Sequence, residues 1–178
     1  FGAGLATLLT LIGLYAQAVL SEQGLAPSQI GPIIGATLLC TALGSWFSGR
    51  IGVRIGFVRA IVATTIATVG AALGMGSGML LLTVGLYLLA ELVTGVFEPL
   101  LSERLNRGLP AAQRATILSV EGFVFSIAMI WAFPLFGAAA GRFGWLPAYA
   151  GAGLVVLLLL AGWLATERRS GARPGAAR

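Results

Sequence analysis

Six runs of about twenty largely apolar residues divide this chain, each long enough to cross a bilayer core roughly 30 Å thick as an α-helix. They cover approximately residues 1–20, 30–48, 57–75, 79–101, 115–137 and 145–166. The breaks between them read SEQGLAPSQIG, GRIGVRIGF, GMGSG, SERLNRGLPAAQR and GRFGW. These stretches carry the glycine, proline and polar residues that interrupt helices. Composition agrees: 58% of the 178 residues are hydrophobic and 10% are charged, against about 45–50% and about 25% in soluble domains. The expected fold class is an all-α membrane protein, a six-helix transmembrane bundle over residues 1–166. Residues 167–178 are polar with Gly and Pro, and are expected to form a disordered cytoplasmic tail.

The arginines test the span count. If the six spans alternate in direction, Arg50, Arg54, Arg59, Arg104, Arg107 and Arg114 fall on one side, together with the four arginines of the tail. Only Arg142 falls opposite. Basic residues in short loops mark the cytoplasmic face, so both ends of this segment are expected in the cytoplasm. A wrong span count would scramble that separation. Trp46, Trp145 and Trp163 fall near span ends, where amphipathic rings favour the headgroup zone; Trp131 lies deeper. The chain opens on Phe1 within an apolar span and with no basic leader, which reads as a piece of a longer protein rather than a signal peptide.

Absent residue types narrow the chemistry. The chain has no His, Asp or Lys and one cysteine, Cys40. A zinc site, a haem-attachment motif, a Ser–His or Cys–His nucleophile pair and paired-aspartate chemistry are therefore excluded for this chain by itself. No enzyme activity and no cofactor are expected. The net charge of +5 comes from arginines that flank spans, where orientation and anionic lipid account for them without nucleic acid.

Two loops share a pattern. GRIGVRIG (Gly49 to Gly56) and GAAAGRFG (Gly137 to Gly144) both read G-x-x-x-x-R-x-G and start 88 residues, or three spans, apart. An odd number of crossings puts them on opposite faces, so a true repeat would be an inverted one. GRIGVRIGFVR resembles the loop signature G-x-x-x-D-[RK]-x-G-[RK]-[RK] of the major facilitator superfamily. Gly49, Arg54, Gly56 and Arg59 carry the match, and Val53 stands where the family has Asp. LPAAQRATILS (Leu109 to Ser119) resembles the P-x-x-x-R-A-T-x-L-S passage entering the eleventh helix of many bacterial members, and PLFGAAAGRFGWLPAY is similar to the link between the last two helices. The resemblance covers essentially the whole chain. It implies the carboxyl-terminal six-helix half of a twelve-helix transporter, built as two inverted three-helix repeats. The partner is then the missing amino-terminal half or a second copy of the chain, and the ligand a small-molecule substrate.

Carboxylates inside spans are the candidate functional groups. Glu91 lies ten residues inside Leu101, about 15 Å along a helix and near the middle of the core. A charge there costs about 2.5–3.5 kcal/mol on the insertion scale for Asp, and Glu should be comparable; such residues usually face a cavity or a partner. Spacings of four and seven place Tyr87, Glu91 and Glu98 on one stripe. Glu91 either exchanges a proton or binds a cation, or else stays protonated and bonds a neighbouring helix. Glu121 lies about two turns inside the fifth span and reads as a structural partner of Arg114, with proton transfer the alternative. Thr7, Thr10 and Gln17 share a rough stripe on the first span and serve a substrate pathway or only interhelical bonding; Tyr15 is a further weak candidate for the pathway.

Near the cytoplasmic end, the resemblance suggests that the second-loop arginines, Arg50 and Arg54, pair with the inner end of the neighbouring helix. Glu98 or Glu103 would then supply the carboxylate that Val53 replaces, giving a gate that is shut in one conformation and broken in the other. The alternative for Glu98 is a solvated interfacial charge beside Pro99. The third and sixth spans, with no ionisable group except tyrosine, suit a lipid-facing supporting role. The Gly31–Gly35 and Gly70–Gly74 spacings suggest close helix packing. Two functions fit: secondary active transport of a small solute, with proton coupling and efflux as the expected mode, or a truncated or stand-alone membrane module without transport activity.

Overall fold

The computed structural model describes the backbone of residues 1–108 and 111–171 and the side chains of 1–104 and 115–169. The described chain forms six helices: α1 (Gly2–Glu22), α2 (Pro27–Ile55), α3 (Phe57–Met75), α4 (Leu80–Gly108), α5 (Ala111–Phe143) and α6 (Trp145–Gly171). Each is long and apolar enough to cross a bilayer, which makes the chain an integral membrane protein. Helices suit that solvent because every backbone polar group is satisfied within its own segment.

Several helices exceed the apolar spans that announce them. α2 and α4 each hold 29 residues and α5 holds 33, so α2 and α4 are about 44 Å long against a core of about 30 Å. The polar loop stretches are thus largely helical extensions. The tail expected to start at 167 begins as helix too, since α6 runs on to Gly171. Two turns are compressed to one residue each. Gly56 alone separates α2 from α3 and Gly144 alone separates α5 from α6, at φ of +80° and +88°. Left-handed backbone of this kind is open to glycine at little cost.

α1 is the central helix, packed against each of the other five. Leu5, Leu8, Ile12, Ala16, Val19 and Leu20 are at most 1% exposed. The ends of the bundle are clearly separated. At one, Phe1 stacks on Trp163 with ring centres 5.4 Å apart, and the Arg104 guanidinium lies 5.4 Å above the Phe57 ring. At the other, the Trp145 indole N–H donates to Glu22 at 2.6 Å and the Gln23 amide donates to Thr83 at 2.9 Å. Arg142 lies at this second end, in the last turn of α5.

Two expectations about packing are met only in part. α3 is covered on one face, where it packs on α4, α6 and α1 and buries Thr64, Thr65 and Thr68 with their hydroxyls donated to carbonyls one turn back, while Ala63, Ile66, Gly70 and Leu73 form an exposed stripe on the other. The least covered helices are α2 and α5. Of the four spaced glycines only Gly74 marks close packing, since a Cβ there would overlap the Leu86 side chain of α4, whereas one at Gly31, Gly35 or Gly70 would meet open space. The closest backbone approach is elsewhere. A Cβ on Gly44 would overlap the Leu92 carbonyl oxygen of α4, and one on Gly95 would overlap the Thr41 carbonyl oxygen of α2. Two glycines facing opposite backbones let α2 and α4 touch, the small-residue packing that substitutes for a hydrophobic driving force in lipid.

Candidate functional site: an acidic cavity along the central helix

A cavity of about 560 Å³ runs between α1, α4 and α5. Helical periodicity builds each wall. Ala3, Ala6, Thr10 and Gly13, spaced by three and four, form a face of small side chains on α1 and leave the space open. On α4 the same spacing presents Glu91, Thr94 and Glu98, and on α5 it presents Leu118, Glu121 and Phe125. Three carboxylates therefore face one volume, and no arginine is among its described lining residues.

Glu91 is at the mid-span end, beside Gly13 of α1. Thr41 on α2 holds it, with the hydroxyl oxygen 3.0 Å from Glu91 Oε2 and also 3.1 Å from the Thr37 carbonyl oxygen. One hydroxyl proton cannot serve both acceptors. When Thr41 donates to Thr37, its lone pair is free to accept the proton of a neutral Glu91; when Glu91 is charged, Thr41 can turn its proton to the carboxylate. The site thus has a hydrogen-bond arrangement for either state. The other face of Glu91 is left uncrowded by Gly13, where an added Cβ would stand 3.4 Å from Glu91 Oε1.

The remaining polar wall is made of acceptors. Thr10 donates its hydroxyl to the Ala6 carbonyl at 2.8 Å and Thr94 to the Ala90 carbonyl at 3.0 Å. Their oxygens face the cavity with lone pairs and no free proton. A solute that donates hydrogen bonds or carries positive charge matches this wall; an anion does not.

The structure brings together only part of the residue set read from sequence. Glu91, Glu121 and Thr10 line the cavity, and so does Glu98, which the sequence reading placed at the gate. Tyr87 is not on the cavity wall; it is buried, 4% exposed. Gln17 is exposed on α1, beyond the lining. Tyr15 turns away into an aromatic group: its hydroxyl donates to the Phe133 carbonyl at 2.9 Å, and its ring lies 4.9 Å from that of Phe136.

At the arginine-rich end, Glu103 and Arg104 line a hollow together with Gly49, Gly52 and Val53 of α2. Arg50 and Arg54 border a shallower one beside Gly49 and Val53. Glu103 is therefore the carboxylate that reaches the end of α2. Glu98 faces the acidic cavity and has no ion pair among the described residues. The side chain of Arg114 lies outside the described residues, and with it the pairing expected with Glu121.

Thr41, Thr94 and Gly13 were not singled out in the sequence. Thr94 and Gly13 share helical spacing with Glu91 and Thr10, a signal that could have found them. No local signal marks Thr41, because the α2–α4 crossing alone brings it to Glu91. Compared with family models, curated proteins and solved structures, the chain matches none of them, so the site's geometry and the sequence motifs carry the functional reading.

Proposed function

We propose that this chain is one six-helix half of a secondary active transporter that couples proton movement to the passage of a small solute, with Glu91 as the proton-carrying group. The observation that carries the reading is Glu91 at the mid-span end of an acidic cavity, bonded to a neighbouring helix through a hydroxyl able to serve either protonation state. Opening and closing such a cavity changes how well the charged carboxyl is solvated, which is the physical basis for coupling a proton to a conformational change. The charge and acceptor character of the wall favour a cationic solute, and efflux is the direction the sequence resemblance implies.

The proposed architecture is the inverted repeat of α1–α3 and α4–α6 found in each half of major facilitator carriers. Exchanging the two triplets carries the α1–α5 packing onto α4–α2, α5–α6 onto α2–α3, and α1–α6 onto α4–α3, all of them observed pairs. The one-residue turns at Gly56 and Gly144, which close the two matching sequence motifs, also exchange and lie at opposite ends of the bundle. α2 and α5 are the equivalent uncovered helices, and each exposes a tryptophan, Trp46 and Trp131. These faces support docking of the amino-terminal half or of a second copy across the cavity. The arginine-rich end is assigned to the cytoplasm of a bacterial inner membrane.

The test is flux in vesicles holding the complete protein, with choline, spermidine and tetraphenylphosphonium as cation probes under an imposed proton gradient. Glu91→Gln is expected to abolish gradient-driven movement while leaving the protein folded. Unchanged proton dependence in that variant would overturn the role of Glu91, and no movement of any probe by the unaltered protein would favour the non-transporting module.

A further inference from the structure

A second hollow differs from the acidic cavity in every respect. α1, α5 and α6 enclose a groove of about 450 Å³ whose walls are small apolar residues, among them Ala128, Ala132, Ala139, Gly151 and Ala152. Among the described lining residues Thr7 alone has a polar side chain, and its hydroxyl is donated to the Ala3 carbonyl at 2.8 Å. Leu135, Val155 and Leu159 stand at the rim, 64%, 56% and 42% exposed. The groove therefore opens sideways, to whatever surrounds the bundle, and the surroundings of a membrane-spanning helix are lipid.

Its length and its charged end identify the occupant. From Pro147 to Leu159 the groove follows α6 for about 18 Å at 1.5 Å per residue. One leaflet of a hydrocarbon core is about 15 Å deep, so the groove matches a single acyl chain and is too short for a crossing helix. It starts at the bundle end that carries Arg142, one turn beyond Ala139 on α5. Arg142 is exposed, with its guanidinium 5.3 Å above the Phe143 ring, and has no ion pair among the described residues. The acid at that end, Glu22, accepts the Trp145 indole N–H. A basic side chain reaching up from the end of a span meets lipid phosphates.

We infer that the α1–α5–α6 groove binds one acyl chain of an anionic phospholipid in the leaflet on the Arg142 side, with its phosphate on the Arg142 guanidinium. The groove supplies fit and the arginine supplies preference for negative charge. The inference is independent of transport, since neither Glu91 nor the acidic cavity contributes to it.

Photolabelling tests it on the unaltered chain. Vesicles of phosphatidylcholine doped with phosphatidylglycerol bearing a diazirine in its acyl chain are irradiated, and the labelled residues are mapped. Labelling is expected to concentrate on 128–139 and 147–159 over the exposed apolar residues of α3, Ile66 and Leu73. Equal labelling of α3 would reduce the groove to ordinary lipid contact and overturn the site, and so would absence of label from the groove, which would mean that protein covers it. Arg142→Gln is expected to lower groove labelling by the phosphatidylglycerol probe about fivefold, the scale of one basic side chain at an anionic surface. Labelling by the matching phosphatidylcholine probe should not change. An equal fall for both lipids, or for neither, would overturn the role given to Arg142. Ala152→Leu should displace either probe from the groove, and persistence of label there would count against acyl-chain occupancy.

Discussion

Adding one methyl group at Gly95 should separate α2 from α4 and release Glu91 from Thr41. The Cβ of Gly95→Ala would overlap the Thr41 carbonyl oxygen and lie 2.9 Å from the Thr41 carbonyl carbon and 3.0 Å from the Ser45 nitrogen. Comfortable carbon contacts are about 3.5–4.0 Å, and all of these atoms are backbone, so no side chain can swing aside. The helix itself must retreat. Thr41 is both the residue struck and the residue whose hydroxyl lies 3.0 Å from Glu91 Oε2, so that retreat takes the bond out of range. Overpacking costs about 1–3 kcal/mol and a lost hydrogen bond about 0.5–1.5 kcal/mol, for a total of about 1.5–4.5 kcal/mol. Gly44→Ala meets the Leu92 carbonyl from the opposite direction and should cost a similar amount in packing. Gly35→Ala and Gly70→Ala enter open space, and should be neutral or stabilise their helices by up to about 1 kcal/mol. Denaturant unfolding of the purified variants in one detergent measures all four. If Gly95→Ala proves as stable as the unaltered protein, or Gly35→Ala loses as much as Gly95→Ala, the glycine-mediated crossing is not what joins these helices.

Thr41→Val keeps the shape of the side chain and removes its hydroxyl; it should cost about 1 kcal/mol in unfolding and shift the pH dependence of cation flux without abolishing it, whereas an unaltered pH profile would separate Thr41 from the coupling step. Orientation can be read by labelling in a Cys40→Ala background: Val53→Cys, at the 89% exposed position beside Arg54, should react with a membrane-impermeant maleimide only after cells are opened. Gly141→Cys, beside Arg142, should react in intact cells, and the reverse pattern would invert the assigned topology.

Different parts of the molecule were legible to different degrees. The cavity was partly visible in the spacing of Glu91 and Glu98, because residues three, four or seven apart on one helix share a face wherever that helix packs. The same rule misled at Tyr87: it shares the stripe yet is buried off the cavity wall, because a stripe is wide and the neighbouring helix covers only part of it. Glu98 lines the cavity, a placement made by the rotation of α4 against α1.

What the amino-acid order determined by itself was the number of spans and the partition of arginines between their two ends. Apolar length and the placement of charge are properties of a segment in lipid before it meets any other segment. The breaks GRIGVRIGF and GRFGW marked where the two sharpest turns fall, but not that helix would run on until Gly56 and Gly144 alone were left to make them. Which face of each helix is inside was decided only by the tertiary structure. In water a buried face is apolar and an exposed one polar; in lipid both are apolar, and the stripe that would tell them apart is missing. Hence α3, which reads as lipid-facing throughout, buries Thr64, Thr65 and Thr68 on one face, and Gly44 and Gly95, not the Gly31–Gly35 pair, draw α2 against α4. The bond from Thr41 to Glu91 follows from that contact, joining residues 50 positions apart that no pattern along the chain connects.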